Sequence, residues 1–297
     1  MTQNFSPPLP TVLTIAGSDC SAGAGLQADL KTVHACGGYA LTVATAITAQ
    51  NSQGVSAVYP LPTQIVQSQL QAIVDDYDIQ AIKIGMLGNT EILKTVIAFL
   101  QQINHPNVVL DPVLISSSGK PLLEHRALPI LIHELLPQTR LITPNIPEVN
   151  ALLNREGNLI FEGKKEEMPE VAQALLPLNI NAAVIKGGHS TEPLATDYLI
   201  QHDDGQQERF NIQSYSTQRI KTDHTHGTGC TYASAIATEL AKGNPLTEAV
   251  KQAKQYLFKA IMQANVAQPN YQNTTHNRNL NRKGGLNHLN MINQGSE

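Results

Sequence analysis

Short apolar runs rich in Val, Ile and Thr alternate along the chain with segments whose apolar residues recur at helical spacing. The apolar runs predict strands at 11–16, 39–49, 79–84, 107–110, 140–143 and 182–185. Helices are predicted between them, and two alternating runs at 195–200 and 208–212 predict a hairpin. Strands that alternate with helices form right-handed β–α–β units around a parallel sheet. The sequence therefore predicts an α/β fold with a mostly parallel central sheet flanked by helices on both faces.

Composition and charge narrow the class of protein. Of the 297 residues, 41% are hydrophobic but only 4% are aromatic, so the core must consist of Val, Ile, Leu and Ala. The net charge of −4 argues against a nucleic-acid or membrane-surface partner, because such proteins carry a basic face. The cysteines Cys20, Cys36 and Cys230 have neither zinc-ligand spacing nor a disulfide pattern.

The organisation of the chain is predicted to be simple. The N-terminal residues show no signal peptide, and no apolar run approaches the ~20 residues of a membrane span. We therefore expect a cytoplasmic protein, and its small residues are compatible with a homodimer. Without a linker-like stretch, a single domain is predicted over 1–268. The Asn-rich residues 269–297 predict a polar, loosely ordered tail, with Leu286 and Leu289 as docking points.

The stretch 221–230, Lys-Thr-Asp-His-Thr-His-Gly-Thr-Gly-Cys, carries the strongest local indication of function. A glycine turn that opens a helix leaves backbone N–H groups without intrahelical partners, and the helix dipole adds a positive potential. Gly227, Thr228 and Gly229 are therefore predicted to form an anion site. The same potential favours the thiolate of Cys230. A glycine-rich loop beside a buried structural cysteine is the alternative that this stretch leaves open.

Polar or glycine clusters follow six of the predicted strands. In an open parallel sheet, ligands bind outside the carboxyl ends of the strands, so these clusters predict an enzyme active site at one edge. The clusters are Gly17-Ser18-Asp19, Gln50-Asn51, Gly85-Met86, Asp111-Pro112, Asn145 to Glu148 and Lys186-Gly187-Gly188.

Several side chains near this edge suit phosphate chemistry. Asn145 and Glu148, at N-x-x-E spacing, are candidates to hold a hydrated Mg²⁺, and Asp111 could help them. Lys186 follows a strand and could reach phosphate oxygens. Asp29, in the first helix, is placed to hydrogen-bond a ring amine. The alternatives are a turn or cap role for Asp111 and solvent exposure for Lys186 and Asp29.

Two weaker patterns point to other classes of protein. The run 23–28, Gly-Ala-Gly-Leu-Gln-Ala, matches the G-x-G-x-x-A dinucleotide fingerprint, which favours an oxidoreductase. That fingerprint also needs an acid at the end of the second strand, where this chain has Gln50, and a Walker A loop is absent. His224 and His226 have no third ligand nearby, which argues against a metal site there.

Taken together and in order, the motifs strongly resemble the hydroxymethylpyrimidine/phosphomethylpyrimidine kinases of thiamine biosynthesis, in the ribokinase superfamily. The resemblance covers about residues 11–265. It rests on Gly17-Ser18-Asp19, 23–31, 48–51, Lys83-Ile84-Gly85-Met86, Asp111-Pro112-Val113, 143–148, Lys186-Gly187-Gly188-His189 and 225–230.

The resemblance implies an ATP-dependent kinase that phosphorylates 4-amino-5-hydroxymethyl-2-methylpyrimidine and then its monophosphate, with ATP and Mg²⁺. It implies a pyrimidine pocket formed by Gly17, Asp29, Gln50, Met86 and Val113. The implied nucleotide contacts are Lys186, Thr222, Asn145 and Glu148. The implied Mg²⁺ site is Asp111, Asn145 and Glu148. The implied catalytic residues are Cys230, Gly227, Thr228, Gly229 and Lys186.

The chain differs from this family in one loop. At Cys20-Ser21-Ala22 the family usually has Gly in the last position, and Ala22 restricts the backbone there. Cys230 stands where most ribokinase relatives have the Asp that takes the substrate proton. The remaining alternatives are a pyridoxal or pyridoxine kinase on the same fold and a catalytically inactive ligand-binding relative.

Overall fold

The computed structural model describes residues 8–51, 54–115, 121–157, 160–189, 192–203, 206–264 and 285–290. A nine-stranded sheet with the order β3-β2-β1-β4-β5-β6-β7-β8-β9 forms its centre. The strands are β1 (Thr11–Asp19), β2 (Tyr39–Asn51), β3 (Gly54–Pro60), β4 (Ala81–Ile84), β5 (Val108–Leu110), β6 (Leu141–Ile142), β7 (Ala182–Ile185), β8 (Leu194–Asp203) and β9 (Gln206–Gln218).

The pairing of the strands is parallel in the middle of the sheet and antiparallel at both sides. β1 pairs in parallel with β2 and β4, and parallel pairing continues through β5, β6 and β7. β3 pairs antiparallel with β2, and β8 and β9 form the expected hairpin beside β7. The predicted mostly parallel sheet is confirmed.

Helices connect the strands. They are α1 (Gly25–Ala35), α2 (Thr63–Val74), α3 (Thr90–Ile103), α4 (Leu128–Ile130), α5 (Ile146–Leu152), α6 (Met168–Leu175), α7 (Thr228–Ala241) and α8 (Leu246–Met262). The side chains of alternate strand residues point to opposite faces. Val12 and Val109 therefore pack with α1, α7 and α8, whereas Leu13 and Leu110 pack with α2, α3, α5 and α6. Helices cover both faces, as predicted.

The segment between β5 and β6 is helical but irregular. The sequence pattern predicts one helix here, from about 124 to 135. The structure instead shows a 3₁₀ turn at His125–Ala127, then α4, a π turn at Leu131–Leu135 and a second 3₁₀ turn at Leu136–Gln138. Pro129 and Pro137 lack the N–H group that a continuous α-helical ladder needs, which explains the interruptions.

Part of the predicted tail packs on the folded chain. Leu286 is buried, with 7% of its surface exposed, whereas Leu289 is 51% exposed. The docking prediction is therefore confirmed for Leu286 and wrong for Leu289. Residues 269–284 and 291–297 of that tail lie outside the described residues. Among the described helices, none combines the length and the apolar character needed to cross a membrane.

Candidate active site

The polar clusters that follow the parallel strands meet at one edge of the sheet. Backbone hydrogen bonds join the ends of neighbouring strands: Gly85 N–H donates to the Ile15 carbonyl, Asp111 N–H to the Ile84 carbonyl and Lys186 N–H to the Pro144 carbonyl. The carboxyl ends of parallel strands necessarily share an edge, so the sheet itself assembles this site.

A lysine and two carboxylates form the centre of one half of the site. Lys186 Nζ lies 2.7 Å from Asp111 Oδ1 and 3.7 Å from Glu148 Oε2. Thr143 Oγ1 donates to the same Asp111 oxygen at 3.1 Å. Burial opposes the charge of Lys186, but the two carboxylates outweigh it and raise the pKa of the ammonium. Lys186 is therefore a permanent cation at the end of β7.

The N-x-x-E pair has a local structural role. Asn145 Oδ1 accepts from Glu148 N–H at 2.9 Å, and Glu148 Oε2 accepts from Asn145 N–H at 2.7 Å, which is a capping box at the start of α5. The N-x-x-E spacing, with Pro147 in the first turn of the helix, is typical of a helix start, but it was interpreted from the sequence only as a metal site. Burial, together with the neighbouring charge of Asp111, raises the pKa of Glu148 to about 7, although Lys186 opposes the shift.

The donor set around Lys186 suits Mg²⁺ only in part. Asp111, Asn145 and Glu148 lie together and offer the oxygen ligands that Mg²⁺ prefers. Within the described ranges, no group of three His, Cys, Asp or Glu residues could hold a metal ion by itself. Magnesium usually binds through one or two carboxylates plus substrate phosphates, so these residues fit an ion that arrives with a nucleotide.

The glycine turn before α7 packs directly against this charged group. Gly227 caps the helix with φ 81°, and no side chain caps the first turn. A Cβ added at Gly229 would lie 3.0 Å from Asp111 Oδ2 and 3.3 Å from Lys186 Nζ. Thr228 Oγ1 donates to the Thr225 carbonyl at 3.0 Å, which closes the turn. The predicted anion site therefore lies beside Lys186.

Two other predicted residues have different surroundings from those expected. Thr222 Oγ1 accepts from His224 N–H at 3.1 Å, so its hydroxyl closes a local turn. Burial raises the pKa of the Cys230 thiol to about 11, against the opposite influence of Lys83 and of a hydrogen bond from the Gly25 backbone. The expectation of a Cys230 thiolate is wrong for this arrangement, because burial, together with the neighbouring charges of Asp29 and Asp111, favours the neutral thiol.

Asp29 does not face an open cleft. Both of its oxygens lie 2.8 Å from Lys83 Nζ, and neither side chain is exposed. Thr14 Oγ1 and Ser234 Oγ also donate to the carboxylate, at 2.5 and 2.8 Å. This arrangement favours a structural role for Asp29 over a substrate contact. The sequence feature that could have indicated the partner of Asp29 is Lys83, a lysine between two isoleucines of β4.

The remaining residues predicted for the pyrimidine make three separate sets of contacts. A Cβ added at Gly17 would lie 3.1 Å from Met86 Sδ, so these two residues are in contact. The Gln50 amide nitrogen lies 3.0 Å from His226 Nε2, in the same turn as Cys230. Val113 is half-buried, and its N–H donates to the Asp111 carbonyl at 2.8 Å.

Asp19 organises the first glycine loop. Its carboxylate accepts from the N–H groups of Ser21, Gly23 and Ala24, at 2.8, 3.1 and 2.8 Å. The backbone donors that would bind a pyrophosphate in a dinucleotide fold are thus occupied by an internal carboxylate. This is the physical reason why the G-x-G-x-x-A match does not indicate an oxidoreductase. Neither Asp19 nor its partner His226 was predicted for this role from the sequence.

The departure at Ala22 also has a visible consequence. Ala22 adopts φ 60°, in the left-handed region. In this region a residue with a Cβ atom has a higher conformational free energy than glycine has. The loop nevertheless closes a turn, in which Ala22 N–H donates to the Asp19 carbonyl at 2.9 Å.

Known proteins resemble this chain over most of its length. The family model described as phosphomethylpyrimidine kinase matches residues 19–276. The hydroxymethylpyrimidine/phosphomethylpyrimidine kinase of Haemophilus influenzae is 44% identical over 253 residues, which cover 84% of this chain and 90% of the relative.

Solved structures of kinases share the fold. The crystal structure of a phosphomethylpyrimidine kinase from Clostridium difficile is similar with a TM-score of 0.70 and 39% identity, covering 84% of this chain and 99% of that one. The pyridoxal kinase of Staphylococcus aureus in complex with ADP is similar with a TM-score of 0.80 and 31% identity, covering 98% of this chain and 97% of that one. The ribokinase-like fold and the resemblance drawn from the motifs are confirmed. The chain belongs to the phosphomethylpyrimidine kinase family and is a phosphotransferase.

Proposed function

We propose that the chain transfers the γ-phosphoryl group of ATP to 4-amino-5-hydroxymethyl-2-methylpyrimidine and then to its monophosphate. One observation carries the proposal. The turn at 225–230 contacts Lys186 and Asp111 through Gly229 and contacts Gln50 through His226. A substrate that spans this turn would have its phosphate acceptor beside the cationic group and its ring beside an amide.

Lys186 and the glycine turn supply the charge neutralisation. The ammonium group can move from Asp111 to a phosphate oxygen. The first turn of α7, which has no side-chain cap, begins beside it at Gly229 and offers backbone N–H groups to the same anion. Mg²⁺, when bound by Asp111, Asn145 and Glu148, would neutralise further charge on the phosphates. Phosphoryl transfer through a loose transition state depends mainly on such positioning and neutralisation.

Cys230 has a supporting role in this proposal. With a pKa raised to about 11, its thiol is protonated at neutral pH and is a poor base. We expect the Cys230→Ala variant to lose turnover by less than about 100-fold, the lower end of what a general base contributes. Unchanged turnover would remove Cys230 from the reaction.

A second substrate class has its own supporting observation. The structure of the pyridoxal kinase in complex with ADP covers 98% of this chain, with a TM-score of 0.80 against 0.70 for the phosphomethylpyrimidine kinase. Sequence identity runs the other way, at 39% for the pyrimidine enzyme and 31% for the pyridoxal enzyme. Pyridoxal is therefore the competing substrate to test.

The deciding experiment measures ADP release with Mg-ATP and either ring, and resolves monophosphate from diphosphate products. Diphosphate formation from the pyrimidine supports the proposal. Monophosphate alone, or a higher kcat/KM for pyridoxal, favours the B6-type alternative. An absence of turnover with both rings removes the proposed function and favours a ligand-binding relative.

A matched pair of lysine variants controls this experiment. Lys186→Met removes the cation beside the glycine turn and should abolish most activity. Lys242→Met removes an ammonium that pairs with Glu239 at the far end of α7 and should not abolish activity.

The homodimer and the cytoplasmic location remain predictions. Sedimentation of the purified chain tests the homodimer.

A further inference from the structure

One ring nitrogen of His226 faces two partners. His226 Nε2 lies 2.9 Å from Asp19 Oδ2 and 3.0 Å from the amide nitrogen of Gln50. An imidazole nitrogen carries either a proton or a lone pair in the ring plane. It can therefore donate to Asp19 or accept from Gln50, but it cannot do both.

The carboxylate of Asp19 decides between these two states. Burial opposes its ionisation, but hydrogen bonds from His226, Ser21 and Ala24 outweigh burial and lower the pKa of Asp19 to about 2. An ionised carboxylate only accepts hydrogen bonds, so His226 Nε2 must carry the proton. This holds whether the ring is neutral or cationic.

A protonated Nε2 constrains Gln50 in turn. With the amide nitrogen toward His226, two N–H groups would face each other. Rotation of the amide by about 180° keeps its volume and places the carbonyl oxygen toward His226, where it can share the proton.

The opposite end of the amide favours the same orientation. Thr48 Oγ1 lies 3.4 Å from the other amide atom of Gln50 and donates its one proton to the Ser18 carbonyl at 2.8 Å. The Thr48 oxygen is therefore left as an acceptor. The rotated amide places an N–H group there and keeps its second N–H for a ligand.

We propose that His226 is a positioning residue for specificity: held by Asp19, it keeps the Gln50 amide in one orientation, which selects the hydrogen-bond order along the ring edge of the substrate. This inference rests on the proposed function. A 4-aminopyrimidine presents a ring-nitrogen acceptor beside an amine donor, whereas the 4-oxo analogue presents the reverse order. A fixed amide matches one order, and a freely rotating amide matches both.

Nitrogen NMR tests the first step without any catalysis. In the protein labelled with ¹⁵N-histidine, the His226 resonances, assigned by their loss in His226→Asn, should show a proton on Nε2 at neutral pH. A neutral ring with its proton on Nδ1 overturns the inference.

Kinetics test the consequence. The wild type should prefer 4-amino-5-hydroxymethyl-2-methylpyrimidine over its 4-oxo analogue by at least about tenfold in kcat/KM, since the mismatched ring edge leaves the part-buried Gln50 amide without the hydrogen bonds that the matched edge supplies. His226→Ala should bring this ratio to within about threefold of unity. A loss of the same size on both substrates, with the ratio unchanged, would show a merely structural role and overturn the inference.

Two control variants distinguish an effect of His226 through the Gln50 amide from general damage to the structure. In a Gln50→Leu background, His226→Ala should leave the ratio unchanged, because His226 acts through the amide. His133→Ala, at an exposed histidine of the irregular helical segment, should keep the wild-type ratio. A wild type that phosphorylates neither ring removes the proposed function, and the position of the His226 proton then decides this inference alone.

Discussion

Lys83 and Asp29 form an ion pair in which Nζ lies 2.8 Å from both carboxylate oxygens and neither side chain is exposed. Ser234 Oγ donates to the same carboxylate, so the pair joins β4 and α1 to the middle of α7. Because α7 begins at the glycine turn, this buried pair helps to hold that turn in place. Burial opposes the charge of Lys83, but Asp29 outweighs it and raises the pKa of the ammonium.

Removing one member of this pair should be costly. Asp29→Asn leaves a buried ammonium without its counter-charge, and we expect a loss of about 3–5 kcal/mol in the free energy of unfolding, measured by urea denaturation. Lys251→Ala, which breaks the more exposed pair with Glu248, should cost less than about 1 kcal/mol. A similar small loss for both variants would contradict the assigned role of the buried pair.

The glycine turn should tolerate no side chain. Gly227 and Gly243 share a left-handed conformation, with φ 81° and 85°, but only a Cβ at Gly227 would meet another atom, the Gly23 carbonyl at 1.8 Å. Gly243→Ala should therefore lose only about 1–2 kcal/mol, the cost of backbone strain. Gly227→Ala should lose more and should also lower kcat at least about tenfold, because the anion site moves. Equal unfolding energies and equal kcat would contradict this prediction.

The three cysteines should react with iodoacetamide in a set order at pH 8. Cys20 is exposed, whereas burial raises the pKa of Cys36 to about 12 and that of Cys230 to about 11. The thiolate is the reactive form, so Cys20 should be alkylated first and Cys20→Ser should remove the fast phase. Mass spectrometry of the peptides gives the rates. Alkylation of Cys230 as fast as Cys20 would contradict the raised pKa of Cys230 and would indicate that its thiolate is present.

Glycine should be better than alanine at position 22. Ala22 has φ 60°, so Ala22→Gly relieves strain but adds freedom to the unfolded chain. We expect a net gain of about 0.5–1 kcal/mol in the free energy of unfolding. Ala174→Gly, within α6, should instead lose up to about 1 kcal/mol. A loss in both variants would show that the loop does not carry this strain.

The docked part of the tail should loosen in acid. His288 is 3% exposed, and burial, with a smaller effect of Lys31, lowers its pKa from 6.5 to about 4. Between these values the unfolded chain binds the proton and the folded chain does not. Stability should therefore be full above pH 6.5 and should fall toward pH 4, by up to about 3 kcal/mol from this group.

Variants isolate this contribution from other groups that titrate in the same range. His288→Gln should flatten the slope of unfolding free energy between pH 6.5 and 4, measured by urea denaturation at each pH. His133→Gln, at an exposed histidine, should keep the wild-type slope. Identical slopes in all three proteins would show that His288 is not buried in its neutral form, and that its contact with Thr231 Oγ1 at 3.1 Å is not maintained.

Much of this protein was determined by its sequence alone. The alternation of β-branched runs with helical spacing is local, so the order of strands and helices, the antiparallel hairpin and the parallel sheet followed from it. The shared edge followed as well, since polar clusters after parallel strands must meet there. That was enough to bring Lys186, Asp111 and the turn at 225–230 to one place.

Only the tertiary structure decided how these side chains are used. Asp29 meets Lys83 from 54 residues away, and Gln50 meets His226 from 176 residues away, distances at which no local pattern records a contact. The pKa of Cys230 depends on burial by the whole fold rather than on its own helix terminus. Electrostatic environment and hydrogen-bond partners are sums over neighbours in space, and folding alone brings those neighbours together.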